Sequence, residues 1–368
     1  MSRTDVLILG GGIIGCALAE ELGRHGQRVA VLERGRIGAE ASSAAAGILV
    51  SQTDVSHPGP LFDLCQAARR MYPRWIEHLE RRTVMSVGYH VDGVLYLAMR
   101  GQDESSMKRQ AKWQTRQGLR VDRWSPKEVR QHEPSVDGNI RCGFYFPTEA
   151  QVDNAVLMQA LTTACRKAGV VLHETTSVRR VLVKDGTARG VDTDQGTFEA
   201  PVIVNCLGSW GALDKTFPTP VPVQPARGQM LVFLGPKRLF RHAIMSSEGA
   251  YVVQRRDGRL LLGSTVEFVG FTKALTVDGM HTILSRVRHM SSAVTACTFV
   301  ESWSGLRPHT EDLLPILGST TVDGLYVATG HFRHGILLAP ITAHLMAELI
   351  LRGRASIDLT PFSPQRFR

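Results

Sequence analysis

The first residues able to do chemistry are three glycines. Gly10, Gly12 and Gly15 stand as GxGxxG, after the apolar run Asp5-Val6-Leu7-Ile8-Leu9 and before Cys16-Ala17-Leu18-Ala19-Glu20-Glu21-Leu22. The run suits a buried parallel strand and the second stretch a helix ending near Gly26; Arg28-Val29-Ala30-Val31-Leu32 reads as a second strand closed by Glu33. In such a βαβ unit Gly10 permits the tight turn, Gly12 lets backbone approach a pyrophosphate, and Gly15 lets helix pack on strand. The helix start, through Ile13 and Ile14, then points free N–H groups at phosphate. Glu33 comes 18 residues after Gly15, where a carboxylate accepts hydrogen bonds from an adenosine ribose and disfavours the 2′-phosphate of NADP. The fingerprint predicts a bound dinucleotide without separating NAD from FAD; a tight turn with no ligand is the plainer alternative.

Three further segments carry candidate chemistry. Beyond Arg34, the run Ala41-Ser42-Ser43-Ala44-Ala45-Ala46-Gly47-Ile48 has side chains small enough for backbone to pass against a flat ring; the alternative is a helix start capped by Ser42 or Ser43. Near the C-terminus, Leu325-Tyr326-Val327-Ala328 reads as a strand, Gly330 breaks it, and Gly335-Ile336-Leu337-Leu338 opens an apolar helix. The positive end of that helix would stabilise negative charge on a reduced ring, or the unit simply completes a sheet. Arg307, in Gly305-Leu306-Arg307-Pro308, offers a planar fork that matches a carboxylate. The competing reading of an arginine is a surface ion pair worth about 0–1 kcal/mol. For Tyr251, at a strand start, it is half-buried packing.

Together with SGLRPHTEDLLPILG at 304–318 and ATGHFRHGILLAP at 328–340, the blocks GGGIIG at 10–15 and SSAAAGIL at 42–49 resemble a known family over nearly the whole chain. They are similar to the FAD-dependent amine oxidases of the D-amino-acid oxidase superfamily, and most of all to the bacterial glycine oxidases. The resemblance implies Arg307 as the anchor of the substrate carboxylate, Tyr251 as a hydroxyl sharing it, and Arg333 lining substrate or ring. It implies cofactor contacts at Gly10, Gly12, Ile13, Ile14, Gly15, Glu33, Arg34, Ala41, Ser42, Ser43, Ala46, Gly47, Ile48, Val178 and Gly208. The same holds for His331, Phe332, Arg333, His334, Gly335, Ile336 and Leu337, with His331 contributing mainly backbone. Sarcosine oxidases that bind FAD covalently use a C-terminal Cys, and none follows Cys297, which favours non-covalent FAD.

The implied reaction converts glycine or a small N-substituted glycine to its imine by hydride transfer from the α-carbon to flavin N5. Dioxygen then yields hydrogen peroxide, and the imine hydrolyses to glyoxylate and ammonia or feeds thiazole assembly in thiamine synthesis. Positioning matters more than a dedicated base, so neither His331 nor His334 is assigned that role. Val266 departs from the Met some glycine oxidases carry, and Glu40 stands where a basic residue can precede the small-residue run. Rival readings are a sarcosine or D-amino-acid oxidase, a dehydrogenase reducing a quinone, and a flavin-binding subunit without turnover. An NAD-dependent dehydrogenase would need neither the small-residue nor the C-terminal block.

The elements that must position these residues follow from the 368 residues, 43% apolar and 21% charged. That length suits two domains or one elaborate one. A helix is expected from Leu61 to Leu79 with Pro73 as kink or boundary, another from 156 to 168 ended by Gly169, and buried strands at 170–172 and 202–206. Residues 88–98 and 230–262 read as hairpin-forming strands, the latter turning at Asp257-Gly258. The expected fold class is α/β: a Rossmann-like FAD-binding domain of glutathione-reductase type at 1–85, 150–218 and 308–368. An inserted, mainly antiparallel β-sheet substrate domain takes 86–149 and 219–307. Trp210 and Trp303 are expected in core packing.

Other classes are set aside. The net charge of +9 comes from dispersed doublets, not the basic patch nucleic acid requires; the densest stretch, 237–242, reads as a solvated face. No uninterrupted apolar run reaches the ~18–20 residues of a membrane span, since the best candidate carries His344 and Glu348. The start imitates a signal peptide, but Glu20 and Glu21 fall where a cleavage site should be, so the chain is read from Met1. Six scattered cysteines without a CxxC pair suggest reduced thiols and a cytoplasmic protein, and no His, Asp or Glu spacing suggests a metal. Homo-oligomers occur in the family, and no residue here specifies one.

Overall fold

The computed structural model describes residues 4–212, 217–236 and 238–367; Lys237 of the basic stretch lies outside them. The strand Val6–Leu9 is buried on every residue and splits by alternation. Val6 and Ile8 face one apolar cluster, Leu7 and Leu9 another. A strand covered on both faces belongs in the middle of a parallel sheet, and this one pairs in parallel with Val202–Asn205 on one side and Val29–Leu32 on the other. The six-stranded sheet is completed by Val171–His173 beyond Val29–Leu32, and by Leu325–Thr329 and antiparallel Ile316–Ser319 beyond Val202–Asn205. Gly10 therefore sits at the carboxyl end of a central strand, where open α/β sheets form their ligand crevice.

One face of this sheet is covered by the helices Ile13–Arg24, Pro60–Thr83, Asn154–Lys167 and Gly335–Arg352, which pack on one another. Over the other lies a three-stranded antiparallel sheet, Val178–Lys184, Thr187–Thr193 and Gly196–Glu199. Pro73 neither ends nor divides Pro60–Thr83. Phe62, Leu64, Cys65 and Ala68 before it, and Ile76 and Leu79 after it, lie buried on one face, so tertiary packing outweighs the lost hydrogen bond. Gly335–Arg352 is the one helix among the described residues long and apolar enough to cross a membrane, but 61% of it is buried within the fold, as a core helix would be.

The second sheet has eight strands, in the order Thr298–His309, Gln224–Leu234, Arg259–Gly263, Tyr251–Gln254, Ala243–Ser246, Val94–Ala98, Cys142–Phe146 and Asp122–Trp124. All pairs are antiparallel except Ala243–Ser246 with Val94–Ala98. The turn at Asp257-Gly258 joins Tyr251–Gln254 to Arg259–Gly263 as expected. Residues 88–98 make no local hairpin; only Val94–Ala98 is a strand, and its partners come from distant segments. This sheet lays Arg307 opposite Ala226 and Tyr251 opposite Gly263, carrying both to the crevice.

Candidate active site

At the crevice the glycines meet steric demands. Gly10 adopts φ +103°, and a Cβ there would lie 2.5 Å from the Cys206 carbonyl oxygen. A Cβ on Gly15 would overlap the Gly10 carbonyl, so any side chain pushes the helix off the strand. The Glu33 carboxylate accepts the Gly11 and Gly35 N–H groups, each at 2.8 Å, tying the phosphate turn to the end of the second strand. It also lines the cavity, where its remaining lone pairs can accept ribose hydroxyls. Ser42 caps no helix of its own: its hydroxyl accepts the Ile13 N–H at 2.9 Å, at the start of the glycine-turn helix.

The small-residue run forms one short helical turn, Ala41–Ala44, then crosses the cavity wall. Its carbonyls are fastened from behind. Asn154 donates to those of Ser42 and Ser43 at 2.8 and 3.0 Å, Trp303 to Ala44 at 3.0 Å, Arg255 to Ala46 at 2.7 Å, and the Val152 N–H to Gly47 at 2.9 Å. Smallness is required: a Cβ on Gly305 would lie 2.5 Å from that of Ala44, and one on Gly47 would overlap the Val152 carbonyl. Glu40, the departure noted above, is neutralised by Arg34 and Lys273, each at 3.0 Å. Trp210 corrects an expectation, because it lines the cavity instead of packing in the core: Arg34 stacks 3.7 Å over its ring and Phe271 lies against it. Trp303 is half-buried and partly packed, with its N–H spent on the loop.

On the C-terminal side, Phe332 takes φ 45° between His331 and Arg333, just before Gly335–Arg352 begins. His331 is buried with Nε2 3.0 Å from the Thr342 hydroxyl, and burial, aided by His334, pushes its pKa down to about 3. His334 is likewise lowered, by burial first. Both rings are therefore neutral near pH 7 and poor acceptors of a second proton.

Arg307 spends two of its five donors on the protein, Nη2 on the Ser264 hydroxyl at 2.8 Å and Nη1 on the Thr265 carbonyl at 3.2 Å. Its guanidinium lies against Gly228, where any Cβ would overlap it. Burial lowers its pKa from the usual arginine value, the neighbouring Tyr251 opposing, so it remains a charged donor in need of an anion. The Tyr251 hydroxyl rests 2.9 Å from Met230 Sδ, a weak acceptor readily exchanged for a carboxylate. Arg333 pairs with Asp54 at 2.9 Å. Tyr96, pushed up to about 12 by burial and by Asp103 and Asp54, stays a protonated phenol.

One continuous cavity of about 430 Å³ joins these parts, from Glu33 and Arg34 past the small-residue run to Tyr251, Arg307 and Arg333. Gly10, Gly12, Ile13, Ile14, Ala41, Ser42, Ala46, Gly47, Ile48, Gly208, His331, Phe332, Gly335 and Ile336 line it. Gly15, Ser43, Val178, His334 and Leu337 do not line it: Val178 lies in the three-stranded sheet, and Leu337 in the core. Sequence reasoning did not single out Asp54, Tyr96, Gly228 or Ser264 on its wall. None stands in a local pattern, and only the neighbourhood of Val266 pointed near Ser264.

A turn closed to any side chain, an acid on the cavity wall at the end of the second strand, a helix start and a long cavity walled by small residues fit FAD. Residues 5–349 match the DAO family, described as FAD dependent oxidoreductase. The chain is 35% identical to the glycine oxidase of Geobacillus kaustophilus over 99% of itself and 97% of that protein. The crystal structure of a glycine oxidase from that organism superposes with a TM-score of 0.96, covering 100% of this chain and 99% of that one at 34% identity. A bifunctional ThiO/ThiG protein of Synechocystis is 37% identical over 100% of this chain, which spans only 54% of that relative's length. The iminodiacetate oxidase of Chelativorans, at 25% identity, gives a TM-score of 0.88 over 98% of both chains. The chain belongs to the DAO family of FAD-dependent oxidoreductases.

Proposed function

We propose that the protein is an amine oxidase of glycine-oxidase type, acting on glycine or a small N-substituted glycine with dioxygen as acceptor. One observation carries this reading: a half-buried arginine, Arg307, held by Ser264 and Thr265 with donors to spare, beside a tyrosine hydroxyl on the wall of the FAD cavity. Bound FAD supplies the two-electron acceptor and passes the electrons to dioxygen, giving hydrogen peroxide. Arg307 binds the carboxylate through paired N–H donors, and Tyr251 turns from Met230 to add a third bond. The substrate is thereby oriented by its carboxylate alone, and Tyr96, Met245 and Val266 narrow the space for a side chain. His331 and His334 remain neutral and take no proton.

The names of the glycine oxidase and ThiO/ThiG relatives support the substrate class, and the latter a role in supplying thiazole assembly. We read 1–85, 150–218 and 308–368 as the FAD-binding part and 86–149 with 219–307 as the substrate part. The placement of the two large sheets supports that division. Free thiols at all six cysteines support a cytoplasmic site of action.

A second reading follows from Arg333. Its partner Asp54 shares the cavity wall, and a substrate bearing a second carboxylate on nitrogen could displace it, a class to which the iminodiacetate oxidase relative points. The test is an anaerobic flavin spectrum with glycine, sarcosine, D-alanine and iminodiacetate in turn, followed by air. Bleaching by glycine or sarcosine, with recovery and peroxide in air, is expected. Bleaching by D-alanine or iminodiacetate alone overturns the first reading.

A further inference from the structure

A second cavity, of about 290 Å³, is lined by residues of 86–92, 151–156, 238 and 254–257. Its charges are unevenly paired. Asp153 and Asp257 both line it, and both are engaged by Arg259, at 2.6 and 2.7 Å. Three arginines on the wall have no such partner. Arg238 is held by the Phe240 and Arg241 carbonyls at 3.2 and 3.1 Å, and Arg256 is exposed, with neither hydrogen bond nor ion pair among the described residues. Arg255 is only 8% exposed, binds only neutral oxygens, of Gln151, Ala46 and Asn154, and leaves its Nε unpartnered. Asp92 opposes them from the wall, and Asp153 and Asp257 also attract Arg255, although Arg259 pairs with both. With Arg259 counted, four arginines meet three aspartates, and His90, on the same wall, is lowered by burial first and then by Arg256, with Arg238 and Arg255 adding to it against Asp92.

Arg256 with its fork unengaged, Arg238 with Nη1 unengaged beyond its two carbonyls, and the His90 imidazole approach from different segments; together they offer more donors than a carboxylate has oxygens, and match the oxygens of a phosphate. The volume leaves room for a small organic group beside it. Arg255 links the site to the flavin. The guanidinium on the cavity wall is the same one that donates at 2.7 Å to the Ala46 carbonyl, and Ala46 and Gly47 line the FAD cavity. An anion would relieve the cost of burying this charge and hold its fork on that carbonyl.

We propose that this second cavity binds a phosphate group, as inorganic phosphate or a small phosphomonoester, and that Arg255 conveys its occupancy to the flavin-side loop. The inference needs FAD as reporter but not the glycine reading, so either can fail without the other. Holoenzyme is titrated with inorganic phosphate and separately with glycerol phosphate, at ionic strength fixed with sodium chloride, following the flavin absorbance band and the temperature of flavin release. A saturable band shift and a raised release temperature are expected, with a response to the ester alone identifying the ester as ligand.

Arg238→Ala combined with Arg256→Ala leaves the flavin content and flavin band in phosphate-free buffer unchanged and weakens the apparent phosphate affinity by about tenfold or more. Arg255→Lys keeps a charge but loses the fork; it should retain the rise in release temperature and lose the band shift. A flat titration of the parent overturns the site, as does an undiminished response in the double variant or an equal response to acetate. A full band shift in Arg255→Lys overturns the route through that residue.

Discussion

The two ends of the long cavity are built on opposite principles. The dinucleotide end is made of backbone: glycines that lack a Cβ, a helix start, and one carboxylate that ties the turn to its neighbouring strand. The end proposed for the substrate is made of side chains, Arg307, Tyr251 and Arg333, delivered by strands and loops far apart in sequence. Backbone sites fail when something is added, because there is no rotamer to move aside. Side-chain sites fail when a charge is taken away, because the fold around them persists. The two ends should therefore report in different measurements, flavin retention for the first and KM for the second.

The largest effect should come from adding one methyl at the first end. In Gly15→Ala the new Cβ overlaps the Gly10 carbonyl, and both atoms belong to rigid backbone. Helix Ile13–Arg24 must retreat, at roughly 1–3 kcal/mol or more of overpacking, and the phosphate turn with it. The purified variant should be largely colourless, as read from the ratio of flavin to protein absorbance. Normal flavin content would show that the helix can shift freely and would break the contrast.

Next is the removal of charge at the other end. Arg307→Ala deletes charge-assisted bonds to the substrate carboxylate, on the order of 2–5 kcal/mol, so KM for the preferred amine should rise by orders of magnitude. The flavin band should be unaltered. A bleached or missing flavin would mean that the two ends are not separable. Gly228→Ala sharpens the same point with an addition: its Cβ overlaps the Arg307 guanidinium, which can move only by giving up Ser264 or Thr265. A rise in KM of about tenfold with full flavin content is expected, and an unchanged KM would mean that Arg307 binds from another rotamer.

The same contrast governs what could be read from the chain. The dinucleotide end is local, with strand, turn, helix, strand and acid in 29 consecutive residues from Asp5 to Glu33, so its chemistry is visible in spacing alone. At the substrate end, Arg307 and Tyr251 carry no local signature and were assigned by resemblance. Asp54, Gly228 and Ser264 carry no signal either, because what matters is which distant loop or strand the fold lays beside them. Trp210 misled for a related reason: an indole beside an apolar strand looks like core, and only the tertiary fold puts Arg34 over its face. Pro73 misled in the other direction, since long-range packing of Pro60–Thr83 overrode a strong local signal. The second cavity, its arginines drawn from two separated turns, gives no sequence pattern.

An effect that neither flavin retention nor KM registers lies beneath the loop that brings Asp54 to the wall. Glu149 is fully buried there, accepting the Ser51 N–H at 2.9 Å and the Gln52 N–H at 2.7 Å, while Gln66 and Gln110 hold the same backbone. Burial pushes its pKa up to about 8, against the pull of those N–H donors. A carboxyl raised on folding stabilises the fold fully below its ordinary value near 4.5, and that contribution is lost as pH rises toward about 8. The slope is at most about 1.4 kcal/mol per pH unit. Glu149→Gln keeps an oxygen for the two N–H groups and cannot ionise, so its stability relative to the parent should improve between about pH 5.5 and about pH 8. Urea midpoints at the two pH values measure this. Parallel pH dependence would mean that Glu149 ionises in place at no cost, and that the loop beneath the substrate end is held by charge instead of by a neutral hydrogen-bonded core.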